Sequence, residues 1–535
     1  MGDLRLETFL FGLTSGIAIA AAASYIASTY ALCKSSSLPL QSSQTPGAAG
    51  SANADESRSS QSDIAKSLDR LERALTIPKL KLHEIVRHFV KEMQRGLASP
   101  NQTLKMIPSF VVNLPTGTET GVYLALDLGG SNFRVCEATL KGTGAATSTS
   151  SVTSPPMLGQ STSTLTPSGH IRMRQRKYTV SNELKVGTGR ALFDFLADCV
   201  GEFLGEIGVN AVEGEDSQEL ALGFTFSFPC MQTAINKGNL MHWTKGFTAT
   251  DVEGRDPVDL LQRAFLRKKL KIRVSALVND TVGTLVSHAF QDPSTYISVI
   301  LGTGSNAAYV EQMSQIPKWE GDMPASGKMV VNMEWGAFDQ EGVVLPRSEY
   351  DMLLDRHSSH PKTQSYEKMI SGMYLGEIMR LAMLDLISTG ELFSMESSAN
   401  LDTPYSFDTA NMSRIERDHS NELSDTKLVL EDLVGIPKTT VNDRRIVKRI
   451  AELIGTRSAR LAAAGIAAIV TKINRLDFCT VAIDGSLFEH YPHYANRMRD
   501  SLREIIGLAE ENISLVQAQD GSGQGAALVA ALADV

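Results

Sequence analysis

Apolar positions recur along this chain with two periods, one helical and one alternating. Leu68, Leu71 and Leu75 stand at helical spacing. Ile85, Val86, Phe89, Val90 and Met93 repeat that spacing and predict a helix over 83–95, with Gly96 and Pro100 as its stop. Apolar runs at 122–128 and 133–140 flank Gly129-Gly130-Ser131 and read as a hairpin. Residues 192–207 form an amphipathic helical pattern, and 220–227 a strand that ends at Phe228-Pro229. A helix over 258–270 is basic at its C-terminal end, where the helix dipole favours positive charge. A second strand–glycine–strand unit follows, with 297–301 and 307–310 around Gly302-Thr303-Gly304. The two units lie about 174 residues apart, an echo of organisation rather than a short-period repeat. Long helices are predicted over 366–388 and 444–471, strands over 478–483 and 514–517, and helices over 501–508 and 525–533. Strands alternating with helices throughout predict an α/β fold.

The first sixty or so residues have another texture. Residues 9–32 carry no charge over roughly 24 positions, enough to cross a bilayer as a helix. Asp3 and Glu7 against Arg5 make a poor signal-peptide start, and Leu6 stands where a myristoylation motif needs Ser or Thr. Lys34 and Arg58 follow the segment, and positive charge on that side favours a cytosolic body. The expectation is an uncleaved transmembrane anchor within 1–33 and a disordered Ser/Gly/Ala/Pro-rich linker over 34–62. A Ser/Thr/Pro/Gly-rich insertion at 143–166 is expected to be a mobile surface loop.

Composition narrows the class. The chain has 535 residues, 42% hydrophobic and 21% charged, ordinary globular values that allow two large lobes. Lys plus Arg is 51 against 60 Asp plus Glu, so the net charge of -9 argues against a nucleic-acid binder. Five scattered cysteines, Cys33, Cys136, Cys199, Cys230 and Cys479, form no CxxC pair or Cys/His cluster. Neither a disulfide framework nor a zinc site is expected, and a reducing compartment fits.

Three glycine-rich segments stand at element ends: Asp127-Leu-Gly129-Gly130-Ser131-Asn132, Gly302-Thr303-Gly304, and Asp520-Gly521-Ser522-Gly523-Gln-Gly525. Glycines let backbone N–H groups close on an anion, and Ser131, Asn132, Thr303 and Arg134 add side-chain donors. Each segment taken alone reads equally as a tight turn. Neither of the first two is followed by Gly-Lys-Ser/Thr or by a helix, so neither is a Walker motif or a dinucleotide fingerprint. Polar residues also gather at strand ends: Ser227, Thr244-Lys245, Asn279-Asp280 and Glu334. Carboxylates that accept and amides or ammonium groups that donate suit a polyhydroxylated ligand. Taken singly, Asp280 is an N-cap of a helix over 281–290, Lys245 a solvated surface residue, and Trp243 and Trp335 packing residues. No HExxH is present, and Gly521–Gly525 lacks the spacing of a nucleophile elbow.

Segments 126–135, 222–247, 278–285, 301–310, 332–338, 366–377, 482–492 and 520–528 together resemble the eukaryotic hexokinase/glucokinase family, in order from about residue 64 onward. Leu222-Gly-Phe-Thr-Phe-Ser-Phe-Pro229 with Trp243-Thr-Lys-Gly-Phe247 is the most specific part. The resemblance implies a two-lobed actin-like ATPase fold of the ribonuclease H-like type, with one lobe over 63–276 and the other over 277–535. It implies transfer of a phosphoryl group from ATP, with Mg²⁺, to the 6-hydroxyl of glucose or a related hexose. On it, Asp280 is the general base, and Ser227, Thr244, Lys245, Asn279, Asn306, Glu334 and Glu367 bind the sugar. Asp127, Gly129, Gly130, Ser131, Asn132 and Arg134 form a first phosphate loop, and Gly302, Thr303 and Gly304 a second. Asp484, Gly485, Ser486, Gly521, Ser522 and Gly523 border the adenosine. Ser131 replaces the commoner Thr, and Ser181 stands where the family usually has Pro. The chain resembles a single unit of the fungal type rather than a duplicated one. An anchored body facing the cytosol at the mitochondrial outer membrane is the expected location. A sugar sensor with little turnover is the rival reading, and an actin-like scaffold ATPase a third.

Overall fold

Two six-stranded sheets carry the architecture. The computed structural model describes residues 68–130, 132–142, 162–165, 170–211, 219–518 and 520–534. The anchor and linker segments, Ser131 and most of the 143–166 insertion therefore lie outside the described residues. Of that insertion, 162–165 is described, and it is a strand rather than loop.

The strands, in chain order, are β1 (Ile107–Pro108), β2 (Thr120–Leu128), β3 (Asn132–Lys141), β4 (Thr162–Leu165), β5 (Ile171–Thr179), β6 (Leu220–Phe226), β7 (Cys230–Ala234), β8 (Lys237–Leu240), β9 (Ile272–Val278), β10 (Thr295–Leu301), β11 (Ser305–Gln312), β12 (Lys328–Asn332), β13 (Cys479–Asp484) and β14 (Ile513–Gln517). The first sheet runs β4-β5-β3-β2-β6-β9 and the second β1-β12-β11-β10-β13-β14. In each, a three-stranded antiparallel meander (β2-β3-β5, β10-β11-β12) is followed by two parallel strands (β6-β9, β13-β14). The echo of strand–glycine–strand units is thus a repeat of whole sheets.

Each sheet has its own core. Phe193, Phe203, Phe224 and Phe265 fill the first, and Trp335, Tyr366, Ile466 and Val481 belong to the second. A third cluster, with Val282, Leu285, Ala526 and Leu528, joins them. The cores do not follow the expected chain boundary. Residues 71–106 pack with the second sheet, helix Gly521–Ala533 lies on β2, β6 and β9, and the 276/277 boundary falls within β9.

Several helices differ from expectation for local reasons. Helix Lys79–Ala98 passes through Gly96, whose missing Cβ leaves room for the Leu104 carbonyl, 2.3 Å from where it would stand. Gly96 is a close-packing position, not a stop. The helix expected over 366–388 is two, Ser365–Ile370 and Gly372–Ser388, with Ser371 extended between them. The break frees Gly372 and Met373 N–H groups to donate to the Gly302 and Thr303 carbonyls at 2.8 and 3.1 Å. The helix expected over 501–508 starts earlier, at Tyr494, and ends at Ile506. Helix Val441–Lys472 opens with a Thr440/Asp443 capping box. Among the described residues it alone is long and apolar enough to cross a bilayer, but its apolar stretch is 89% buried, as a core helix.

Candidate active site

Parallel pairing sets the carboxyl ends of β2, β6 and β9 along one edge of the first sheet, and those of β10, β13 and β14 along one edge of the second. Asp484 at the end of β13 feels Arg134 and Asp280 of the first sheet, so the two edges face one site. Ligands of open α/β sheets gather at such ends. The first glycine turn joins β2 to β3, whose last paired residues are Leu128 and Phe133. The second joins β10 to β11 after Leu301↔Ser305. No heavy atom lies within 4 Å of where a Cβ of Gly129 or Gly130 would stand, so their backbone is open to a ligand. At the second turn Gly304 would direct a Cβ to 2.8 Å from Glu367 Oε2, and only glycine leaves that carboxylate in place. Gly485 has φ +122°, and its Cβ would meet Leu301 at 2.4 Å, which sets Asp484-Gly485 tightly against the second turn.

Asp280 is the first residue of helix Asp280–Ala289, and Asn279 rather than Asp280 is its N-cap, accepting from Thr281 N–H at 2.9 Å. Asp280 Oδ1 accepts from the same N–H at 2.8 Å. A hydrogen-bonded chain runs from there through the polar strand ends. Asn306 Nδ2 donates to Asn332 Oδ1 at 2.7 Å, and Asn332 Nδ2 to Glu334 Oε1 at 2.9 Å. Ser305 N–H donates to Glu367 Oε2 at 2.8 Å. Lys245 Nζ donates to the Ser227 carbonyl at 2.9 Å, which ties the Thr244-Lys245 turn to the end of β6. Beneath that turn, Trp243 stacks on Phe247 and meets Phe228 edge-on. Trp243 and Trp335 are buried packing residues. Lys245 and Glu334 both adopt left-handed backbone, φ 56° and 53°. Such conformations cost on the order of 1–3 kcal/mol and concentrate at ligand sites.

The electrostatics bind these groups together. Loss of hydration pushes the Glu334 carboxyl up to about 7. Asn332 opposes that by donating, Asp280 and Glu367 add to it, and Lys245 opposes it. Glu367 is also raised, first by burial, against the Ser305 N–H and Lys245. Burial holds Asp484 up to about 6; Arg134 pulls it down while Asp520 and Asp280 push it up. Asp280 thus stands between two groups of carboxylates, one with the polar strand ends and one with the glycine turns.

Some expected residues are placed differently. Arg134 does not project freely: its guanidinium donates to Asp127 at 2.7 Å and to Ser522 Oγ at 3.0 Å, and pairs with Asp520. Burial disfavours its charge, but Asp127 and Asp520 outweigh that and raise its pKa further. Gly521, Ser522 and Gly523 are buried in the first turn of helix Gly521–Ala533, not in a turn before it. Gly521 packs on Thr284 and Gly523 faces Cys136, so these glycines also serve helix packing, and Ser522 Oγ reaches the polar cluster by donating to Asp127 at 2.7 Å. Ser131 and the Asn132 side chain lie outside the described residues.

Other residues were not singled out in the sequence. Asn332 bridges Asn306 and Glu334. Its signal is a polar residue closing the apolar strand β12, two positions before Glu334. A cavity of ≈ 550 Å³ opens beside Thr303 and Ser486, lined further by Gly372, Met373, Thr409 and Leu487. It has the place and size for a nucleoside next to the second turn.

Comparison with known proteins agrees with this geometry. Two family models, each described as hexokinase, match residues 67–290 and 296–532. A hexokinase of Schizosaccharomyces pombe is 41% identical over 470 residues, covering 87% of this chain and 90% of that one. A hexokinase of Nicotiana tabacum is 42% identical over 464 residues, covering 85% and 88%. The solved structure of a Schistosoma mansoni hexokinase complexed with glucose superposes with a TM-score of 0.77 at 36% identity, covering 88% of this chain and 99% of that one.

Proposed function

Because the chain belongs to the hexokinase family and phosphorylates a hexose, we propose that Asp280 is the general base at the 6-hydroxyl of glucose or a related hexose, with ATP as phosphoryl donor. The observation that carries this is the position of Asp280 at the carboxyl end of β9, where Glu334 and Glu367 on one side and Asp484 on the other all sense its charge. Glu334 and Glu367 accept from sugar hydroxyls, while Asn279, Asn306 and Lys245 donate, and Ser227 and Thr244 complete the enclosure. Asp280 takes the hydroxyl proton as that oxygen attacks the γ-phosphorus, and ADP leaves. Backbone N–H groups of Gly129-Gly130 and Thr303-Gly304 hold the phosphates, with the Gly302 N–H closing the second turn onto the Gly304 carbonyl. The cavity beside Thr303 and Ser486 takes the nucleoside, with Asp484 and Gly485 leading into Ser486. The buried carboxylate of Asp127 and the half-buried one of Asp484 suit a divalent cation carried by the triphosphate, proposed to be Mg²⁺. When bound, that ion neutralises charge on the phosphates.

Glucose- and ATP-dependent formation of glucose 6-phosphate by the purified chain is the direct assay. Asp280→Ala is expected to lower kcat by about 10²–10⁴-fold with glucose affinity changed only a few-fold. Turnover close to the parent's would remove Asp280 from the role.

We also propose that residues 9–32 anchor the chain, with its body in the cytosol at the mitochondrial outer face; the long uncharged run supports this. Deleting residues 1–33 should move active enzyme from the membrane pellet to the soluble fraction. Continued sedimentation with membranes would count against the anchor.

A further inference from the structure

His88 and Glu92 stand one turn apart on helix Lys79–Ala98, on the same side of the helix. Phe89, between them, is fully buried and stacks on Phe338 with ring centroids 4.0 Å apart. That stacking sets the next residue, Asp339, against the helix. His88 Nε2 lies 3.0 Å from Glu92 Oε1 and 3.8 Å from Asp339 Oδ1. One ligand atom from each of the three lies within 4.8 Å of the others.

Two features point to a missing ligand rather than a finished hydrogen-bond cluster. Glu92 is only 9% exposed, yet its Oε2 has no hydrogen-bond partner. A buried carboxylate oxygen without a donor is costly. Asp339 is held by the N–H groups of Val343, Val344 and Leu345 at 2.6, 3.0 and 2.6 Å, the outer-shell support that orients a ligating carboxylate. Tetrahedral coordination with bonds of about 2.0–2.1 Å sets ligand atoms roughly 3.3 Å apart. The 3.0 and 3.8 Å separations bracket that value.

We propose that His88, Glu92 and Asp339 form a binding site for one divalent transition-metal ion of the zinc class, outside the sugar–nucleotide cleft. An imidazole beside two carboxylates selects zinc, cobalt or manganese over the harder magnesium and calcium. The His88 side chain is 17% exposed, so its edge gives the ion an entry path and a fourth position for water. The bound ion staples helix Lys79–Ala98 to the segment that follows Glu334. Cysteine counting overlooks such a site because it contains no thiolate and Asp339 is far away in sequence.

The test uses the full chain, stripped with a chelator and titrated with Co²⁺, whose visible absorption reports low-coordinate binding, followed by displacement with Zn²⁺. One equivalent per chain is expected, and binding should persist in Asp484→Asn, which alters the cleft alone. His88→Gln and Glu92→Gln should each weaken it by more than about tenfold. If His88→Gln fails to fold by circular dichroism, Glu92→Gln, which keeps the shape and removes the charge, decides the matter. Absence of Co²⁺ and Zn²⁺ binding in the parent, or equal binding in the folded variants, overturns the proposal and leaves a His88–Glu92 hydrogen bond in its place.

Discussion

At Glu334 two demands conflict: in its proposed role the sugar hydroxyls want a carboxylate, and the cleft removes the water that would stabilise one. Burial, with Asp280 and Glu367 nearby, therefore raises its carboxyl to about 7. The folded pKa lies above the unfolded one, so the stability linked to this proton is full below the usual carboxylate range and is lost as pH rises through about 7. Hexose binding works the other way, because hydroxyl donors favour the charged form. Glucose affinity should thus rise with pH and level off above about 7, weakening by up to roughly tenfold per pH unit below that. Calorimetric titration of glucose between acidic and mildly alkaline pH checks this, and Glu334→Gln should flatten the slope. A parent whose affinity does not vary with pH would show that Glu334 does not titrate against the sugar. At this scale the sequence was informative about identity and poor about partners. Ser227, Asn279, Asp280 and Glu334 are visible as polar residues ending apolar runs. Asn332 was missed because its role exists only once β11 and β12 pair and bring it beside Asn306.

Elements of strong period were legible, and their contacts were not. β2, β6, β10 and β13 lie where apolar runs put them, within a residue or two. The glycines of 520–525 resemble a phosphate turn in sequence, yet they are there for close approach of backbones. Gly525 would drive a Cβ to 2.0 Å from the Gly283 carbonyl, and Gly223 one to 2.0 Å from that of Ala526. Periodicity does not encode which helix lies on which strand, so it does not separate these two uses of glycine. The distinction is measurable. Gly223→Ala sets a methyl against backbone that has no room to shift, and should destabilise by about 1–3 kcal/mol or more. Gly205→Ala, in helix Gly189–Glu206 with nothing within 4 Å, should instead stabilise by about 0.4–1 kcal/mol through the unfolded chain. Urea unfolding midpoints of the two variants compare them directly, and equal shifts would refute the packing argument.

Across the whole molecule, the groups proposed to hold the sugar are divided between the two sheets. Ser227 follows β6, and the Thr244-Lys245 turn is tied to its carbonyl, while Asn306 lies on β11, Glu334 follows β12, and Glu367 holds the β10–β11 turn. Each sheet has a separate core, and the cluster that joins them sets helices Asp280–Ala289 and Gly521–Ala533 between strand residues of both sheets. A hexose that touches both sets gains its full binding energy only when the two sheets are drawn together, and that gain is what offsets the cost of closure. ATP attacked by water would be wasted, so closure driven by the sugar rather than by the nucleotide also protects the phosphoryl group. Small-angle scattering of the chain lacking residues 1–62 should therefore show a smaller radius of gyration with saturating glucose and little change with ADP alone. Asp280→Ala should still contract with glucose, because its loss removes the base but leaves ligands on both sheets. Contraction with nucleotide alone, or none with glucose, would mean that the hexose does not bridge the two sheets and that water is kept from the phosphates by some other means.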